Sequence, residues 1–343
     1  MKMKEAAKQL NTTPRTIRFY EEKGLLTLEK GANDYRYFKE EDLWRLQTIL
    51  SLRELGMGTD RIKEALTEAS PIHTYLNMQR SALYGEWLQL KDTIHTIETM
   101  LQKEEAQLSE EDLFYLANRL KGRKELRDKW EDEWNFNEQA KKYDLMIKTT
   151  GYRFNVHEGY DEALERVKVL ADVSETCVGL DIGIGTGNLA EKFIHQGNKM
   201  IGVDQSEEML KVCKEKHSEI DLRHGHFLAL PVMDKGVDFI VSSYALHHLP
   251  DEKKITAFQE MERVLKPGGI IVIADLMFTD QKEREKTLAD FAKEGNQEAI
   301  AAIEDEYYGN RRVLVEWLEV NGFSVRTEKI NRILHVLKIQ KSI

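Results

Sequence analysis

Apolar positions along the chain change period three times. Over residues 3–10, Ala6, Ala7 and Leu10 fall at helical spacing, and Asn11-Thr12-Thr13-Pro14 then breaks the pattern. Thr13 can cap a second helix that Pro14 opens, because its hydroxyl accepts from an orphan amide and the fixed φ of proline suits a first turn. That helix should run to about Lys23 and stop at Gly24. Residues 33–38 alternate around a turn and predict a β-wing. Residues 41–55 and 59–68 predict two more amphipathic helices, separated by Gly56-Met57-Gly58.

From Pro71 the period becomes heptad. Leu76, Arg80, Leu83, Trp87, Leu90, Ile94, Ile97 and Leu101 form a seam with one polar interruption at Arg80. At about 1.5 Å per residue this rod is about 39 Å long. A seam of that length and regularity favours a partner helix from a second copy over packing within one chain. Residues 109–135 are charged, with Leu113, Leu116, Leu120, Leu126 and Trp130 spaced along them and Gly122 interrupting, and read as a helical connector. Strands and helices then alternate: strand 178–182, helix 187–196, strand 199–203, helix 206–216, strands 220–223 and 237–242, helix 251–265, strand 269–275. Such alternation predicts a doubly wound, mostly parallel sheet with its ligand at the carboxyl ends of the strands.

Composition refines this picture. The 343 residues exceed one ordinary core, and 41% apolar with 32% charged residues describes a folded chain. Cys177 and Cys213 are too far apart in sequence to suggest a disulfide framework or a cysteine metal site, and read as small core residues. No apolar run is long enough to span a bilayer and the first residues lack the apolar core of a signal peptide, so a cytoplasmic location with no membrane partner is expected. The net charge of −10 is unevenly spread: residues 1–70 carry 13 basic and 12 acidic side chains, and residues 1–20 five against one. A phosphate backbone responds to that local excess, because screening limits it to a Debye length of about 8–10 Å.

Arg15 and Arg18 lie three apart on the second predicted helix and share a face, while Ile17 points elsewhere. Guanidinium groups there suit guanine edges and phosphates. RTIRFYEEKGLL (15–26), NDYRYF (33–38) and DLWRLQTILSLRELGM (42–57), in this order, resemble the MerR family of bacterial transcription regulators over residues 1 to about 108. The resemblance implies that Arg15 and Thr16 approach bases behind the Thr13 cap, and that Arg18, Tyr20, Tyr35 and Arg36 hold the DNA backbone. It also implies a homodimer on double-stranded promoter DNA that acts on RNA polymerase indirectly. Asp34 replaces the glycine usual in the wing turn, and Phe38 lacks the usual tyrosine hydroxyl. Ser70-Pro71-Ile72-His73 stands where metal-sensing members carry a cysteine, so no metal is expected to be sensed.

In the second half, Val178–Gly187 (VGLDIGIGTG) is a strand running into a glycine turn and a helix start. Glycines let a ligand approach the backbone, and the helix start is electropositive. The spacing G-x-G-x-G with Asn188 does not meet the dinucleotide fingerprint. Asp204, at the end of the next strand, is placed to accept from a ribose diol. With HGHFLALP (224–231), VDFIVSSYALHHL (237–249) and LKPGG (265–269), these residues resemble class I S-adenosylmethionine-dependent methyltransferases over about residues 136–343. The tail, with EDEYYGNRR (304–312) and NGFSV (321–325), looks like a branch of small bacillus methyltransferases. The resemblance implies S-adenosylmethionine as cofactor, with its methionine part at Asp181, Gly183, Gly185 and Gly187, its ribose at Asp204 with Gln205, its adenine at Phe227 and His226, Ser243 beside it, and Tyr143 closing over. His226 stands where an acidic residue usually accepts from the adenine amino group.

The expected fold is thus an α+β multidomain chain: winged helix-turn-helix (1–70), dimerisation coiled coil (71–108), helical connector (109–135) and α/β doubly wound, Rossmann-like methyltransferase sheet (136–343). Methyl transfer needs mainly alignment of nucleophile and methyl, so a base is not obligatory. Tyr244, His247, His248 and His157 are candidates, and the His pair reads equally as packing beside the cofactor. DNA-base methylation motifs are absent after the fourth strand, where Ser242-Ser243-Tyr244-Ala245 stands. The expected function is a MerR-type regulator whose effector domain methylates a small molecule, with the compound it senses as a candidate acceptor. The alternative is a non-catalytic sensor of cofactor or ligand, and a third reading is a methyltransferase with a vestigial DNA module.

Overall fold

The computed structural model describes residues 1–30, 36–67, 72–102, 109–128, 134–149 and 154–341. Asp34, Tyr35, Ser70, Pro71 and Trp130 lie outside them. Two compact units, Met1–Ala82 and Leu83–Ile343, divide within one long helix.

In the first unit, α1 (Met3–Gln9) and α2 (Pro14–Glu22) are joined by a tight turn with Asn11 at φ +49°. The Thr13 hydroxyl accepts from the Thr16 amide at 3.1 Å, the cap expected from Thr-Pro. Lys23 and Gly24, the latter at φ +71°, end α2. The wing pairs β1 (Glu29–Lys30) with β2 (Arg36–Tyr37). Its first strand therefore precedes the alternating stretch at 33–38, and only the return strand falls inside it. The helices α3 (Glu40–Glu54) and α4 (Thr59–Thr67) close the unit over a core of Ala6, Ile17, Tyr20, Phe38, Leu46, Ile49 and Ile62.

The heptad stretch is one helix, α5 (Ile72–Leu101). Of its seam, Leu83, Leu90, Ile94, Ile97 and Leu101 are exposed, Leu90 by 59%. Trp87 departs from the expected seam: within the second unit it lies beneath the Arg263 guanidinium, 5.4 Å from the ring centre, with Lys91 at 5.3 Å. The helix α6 (Glu110–Asp128) runs unbroken through Gly122, which was expected to interrupt it. It turns back along α5, where Arg123 and Arg127 reach Asp92 at 3.1 and 2.7 Å. The short helices α7 (Phe136–Gln139) and α8 (Tyr143–Lys148) follow.

Next come α9 (Tyr160–Ala171), β3 (Val178–Ile182), α10 (Asn188–Ile194), β4 (Lys199–Asp204), α11 (Glu207–Lys216), β5 (Asp221–His224), β6 (Val237–Ser243), α12 (Asp251–Val264) and β7 (Leu265–Phe278). The tail adds α13 (Gln281–Lys293), α14 (Gln297–Asp305), β8 (Gly309–Asn310), α15 (Arg311–Val320), β9 (Phe323–Lys329) and β10 (Leu334–Lys341). The main sheet runs β5-β4-β3-β6-β7-β10-β9, parallel from β5 to β7, with β10 antiparallel to both its neighbours and β8 beside the end of β7. Alternation divides the strand residues between two helical layers. Phe239, Val241, Val272 and Val336 face α9 and α10, while Leu180, Ile240, Ile271 and Leu337 face α12 and α15. The sheet order reverses at β3, whose neighbours are β4 and β6, so the crevice beyond its carboxyl end is the expected ligand site.

Candidate functional site

On the first unit, α2 buries Ile17 and Tyr20 and presents Arg15, Arg18 and Phe19 outward. Tyr20, assigned to the DNA backbone by resemblance, is only 5% exposed: it sits three residues after Ile17, on the inward face. Arg36 on the wing donates its Nε to both Glu21 carboxylate oxygens, at 2.8 and 2.6 Å, which ties the wing to α2. Thr13 and Thr16 share a hydroxyl contact of 2.8 Å, so both are spent partly on the helix start.

At the switch point of the large sheet, β3 ends in a turn in which Gly183, Gly185 and Gly187 all have positive φ (+70°, +54° and +91°). A cleft opens there. It brings together Tyr143, Gly183, Gly185, Asp204, Gln205, His226, Phe227, Ser243 and Tyr244 of the expected residues. A Cβ added to Gly185 would meet only the Tyr143 ring, at 4.0 Å, so this loop forms a cradle that a side chain would fill. The Tyr143 segment is fastened over the turn by Asp144, which accepts from Thr186 at 2.5 Å, Asn188 at 3.0 Å and Lys216 at 2.7 Å. Asn137 likewise accepts from Ser206 at the start of α11.

The charges fit a sulfonium nucleoside with an amino-acid tail. Asp204 lines the cleft and accepts from the Gly185 amide at 2.8 Å and the Ser206 amide at 2.9 Å, which orients its carboxylate. Asp181 is not part of the cleft lining. It lies on the sheet face toward α9 and α10, 1% exposed, both carboxylate oxygens without a hydrogen-bond partner among the described residues. Burial, with Asp204 nearby, outweighs the Ala190 backbone amide that favours its charge and pushes its pKa up to about 8. Gly187 also stands apart from the lining: a Cβ there would strike His217 and Cys213 at 2.7 and 2.8 Å. His226 accepts the Leu228 amide on Nδ1 at 3.2 Å, and burial, with His224, Arg127 and Lys253, lowers its pKa to about 4. The ring is therefore neutral with its proton on Nε2, a donor rather than the acceptor expected at this position.

The far end of the cleft is aromatic. Tyr244, in a left-handed conformation at φ +50°, packs at 5.2 Å on Tyr160 and at 5.4 Å on His157, and its buried hydroxyl has no partner among the described residues. His157 stands behind Tyr244 rather than in the lining, and burial lowers its pKa to about 4. His247 also departs from the expected place at the reacting end. Its ring is buried, with Nδ1 on Asp275 at 2.6 Å and Nε2 3.5 Å from Glu306, while the neighbouring His248 lines the cleft. Asp275 further accepts from the Ala245, Leu246 and Leu276 amides. Burial opposes its charge, yet His247 and these donors hold it below the usual carboxylate range. Sequence reasoning did not single out Phe136, Asp144, Tyr160, Asn188, Asp275 or Glu306. The stretch 136–144 (FNEQAKKYD) carried a signal for the first two, since it holds the expected Tyr143 and lies ahead of the glycine turn.

A glycine turn at the switch point of a doubly wound sheet, with an acid at the next strand end, defines a class I methyltransferase fold, and the first unit is a helix-turn-helix. Residues 1–69 match the model of the MerR HTH family of regulatory proteins, and residues 180–269 that of the methyltransferase domain. An uncharacterized methyltransferase of Bacillus cytotoxicus is 34% identical over 210 residues, 60% of this chain and 96% of the relative. One of Bacillus cereus is 33% identical over the same shares. A solved putative S-adenosyl-L-methionine-dependent methyltransferase of Methanococcus maripaludis is 21% identical, covers 62% of this chain and 97% of its own, and superposes with a TM-score of 0.45. The chain belongs to this family of bacillus methyltransferases and carries a MerR helix-turn-helix domain ahead of it. S-adenosylmethionine is its cofactor. Among the described residues no helix is long and apolar enough to cross a membrane.

Proposed function

We propose that the chain is a promoter-binding homodimer whose methyltransferase half methylates a small molecule held at the aromatic end of the cleft, and that it works in the cytoplasm and reaches RNA polymerase only through the promoter. The observation that carries the acceptor site is the Tyr244 hydroxyl: buried in the cleft wall, without a partner among the described residues, on a backbone held in an uncommon conformation. Strain of about 1–3 kcal/mol at such positions marks functional sites, and a buried hydroxyl needs a partner that a bound acceptor can supply.

S-adenosylmethionine supplies an electrophilic methyl group; its transfer forms a bond from the acceptor atom to that carbon, returns the C–S electron pair to sulfur and leaves one acceptor proton to be lost. Gly183, Gly185 and Tyr143 set the cofactor's place, Asp204 with Gln205 holds its ribose, Phe227 and His226 its adenine, Ser243 lies alongside, and Asp181 stands buried behind the turn. Tyr160 and Tyr244 exclude water and align the acceptor. The test is S-adenosylhomocysteine formation with thiols, amines and phenols. Tyr244→Phe should lower kcat/KM by about ten- to hundredfold, the loss of roughly one hydrogen bond to a polar group, without changing cofactor affinity. An unchanged rate, or no product with any acceptor, counts against this reading.

The exposed apolar seam of α5 supports dimerisation, and the outward Arg15 and Arg18 support DNA binding. Arg15→Ala should cost about 1–3 kcal/mol of promoter affinity and leave methyl transfer intact, as a mobility-shift titration at fixed salt would read. A protein that never binds its promoter would instead mark the domain as vestigial. A sensor role is favoured by one observation: the Lys91–Asp234 ion pair and the Trp87–Arg263 contact fasten the same helix to the methyltransferase sheet. Cofactor occupancy then has a physical route to the coil.

A further inference from the structure

His247, His248 and Glu306 each offer one ligand atom, and these atoms all lie within 4.8 Å of one another. Three features set this cluster apart from packing. The Nε2 of His247 stands 3.5 Å from Glu306, long for a hydrogen bond, whereas zinc bonds of about 2.0–2.1 Å set tetrahedral neighbours about 3.4 Å apart. The other ring nitrogen of His247 is bound to the buried Asp275 at 2.6 Å, and Asp275 is itself held by three backbone amides. A carboxylate behind a histidine in this way fixes the ring and raises its basicity as a ligand. Finally, Nδ1 of His248 is buried without a partner among the described residues, although Trp134 and Phe136 hold the ring at 4.6 and 5.0 Å.

The local charge admits a cation. Lys254 is the buried base nearby, and its ammonium is already taken by Asp251 at 2.9 Å and by the Leu249 and Tyr307 carbonyls at 2.6 Å each. The Tyr307 amide donates to the His247 carbonyl at 3.0 Å. Together these bonds lock the residue after Glu306 to the histidine turn, so the ligands come from a pre-arranged pair of segments. His248 lines the methyl-donor cleft, and Glu306 lines a second, polar cavity with Asp251, Asp280 and Arg284.

We propose that His247 Nε2, a ring nitrogen of His248 and the Glu306 carboxylate bind one divalent transition ion of the zinc type in the wall between these two cavities. Two imidazoles and a carboxylate are a zinc donor set and disfavour magnesium, which takes oxygen ligands. Three protein ligands leave a fourth position for water or for the oxygen or sulfur of a bound molecule, whose proton the ion makes easier to lose. Binding of the ion stands apart from turnover and from the identity of any acceptor.

The full-length protein, stripped with chelator, is titrated with Zn²⁺ by calorimetry and with Co²⁺ by visible absorption, with Mg²⁺ as the contrast. One equivalent per chain, an intense tetrahedral-type Co²⁺ band and no Mg²⁺ competition are expected. Glu306→Gln preserves shape and should weaken Zn²⁺ binding by at least tenfold, as should His248→Ala. Asp275→Asn should weaken it by about 10–100-fold, the usual effect of losing a ligand's support. A weak octahedral-type Co²⁺ spectrum, or Zn²⁺ affinity unchanged in Glu306→Gln, overturns the proposal even where the histidine variant fails to fold.

Discussion

Gly183→Ala should abolish cofactor binding while leaving promoter binding as it was. The residue sits at φ +70°, a conformation that costs an L side chain about 1–2 kcal/mol, and its added Cβ would lie 2.4 Å from the Cβ of Ala245. Ala245 cannot give way, because its amide and that of Leu246 are bound to the buried Asp275. The turn must therefore move into the cleft it lines. An affinity loss of at least a hundredfold, about 2.7 kcal/mol, is expected for S-adenosylhomocysteine by calorimetry, with methyl transfer lost at ordinary cofactor concentrations. Affinity within threefold of the parent would show that the turn is not where the cofactor binds. The first unit has its own core around Ile17, Leu46 and Ile49, so DNA binding serves as the internal control for folding.

Arg263→Ala should strongly destabilise the second unit. Its guanidinium reaches Glu260 at 2.8 Å, Asp234 at 3.0 Å and the Val232 and Leu230 carbonyls at 2.8 and 3.0 Å. Both Arg263 and Glu260 are nearly buried, and removing one partner of such a pair costs about 3–5 kcal/mol because the other charge is stranded. At about 2–4 °C per kcal/mol for a unit of this size, the melting temperature should fall by roughly 10 °C. Trp87 also loses the Arg263 guanidinium over its ring and keeps only Lys91, so amide exchange along the later turns of α5 should quicken. A melting temperature within 2 °C of the parent, or unchanged exchange in α5, would remove this residue as the fastener between coil and sheet.

Local chemistry explains why so much of the chain was legible. Thr13-Pro14, Gly24, the heptad spacing and the glycine turn after Val178 each act within a few residues, through a cap, a φ angle or a face; the cap, the helix end and the glycine turn appear where they were expected, and the heptad stretch is a helix whose Trp87 leaves the seam for Arg263. The failures have separate causes. Tyr20 was placed at DNA by resemblance although its spacing from Ile17 already put it inward. The wing's first strand at Glu29–Lys30 is too short to leave a periodic signal. Gly122 does not break α6, since a helix with side-chain ties such as Arg123 and Arg127 to Asp92 tolerates one glycine at a cost of about 1 kcal/mol.

The sequence by itself determined that a MerR-type helix-turn-helix, a long heptad helix and a methyltransferase sheet follow one another, because capping, periodicity and glycine turns are written in neighbouring residues. Only the tertiary structure decided which of two adjacent histidines faces the methyl-donor cleft, that Asp181 lies behind it and that Glu306 meets His247. Those outcomes depend on side chains brought together across strands and loops, and burial, not spacing, sets what each of them can do.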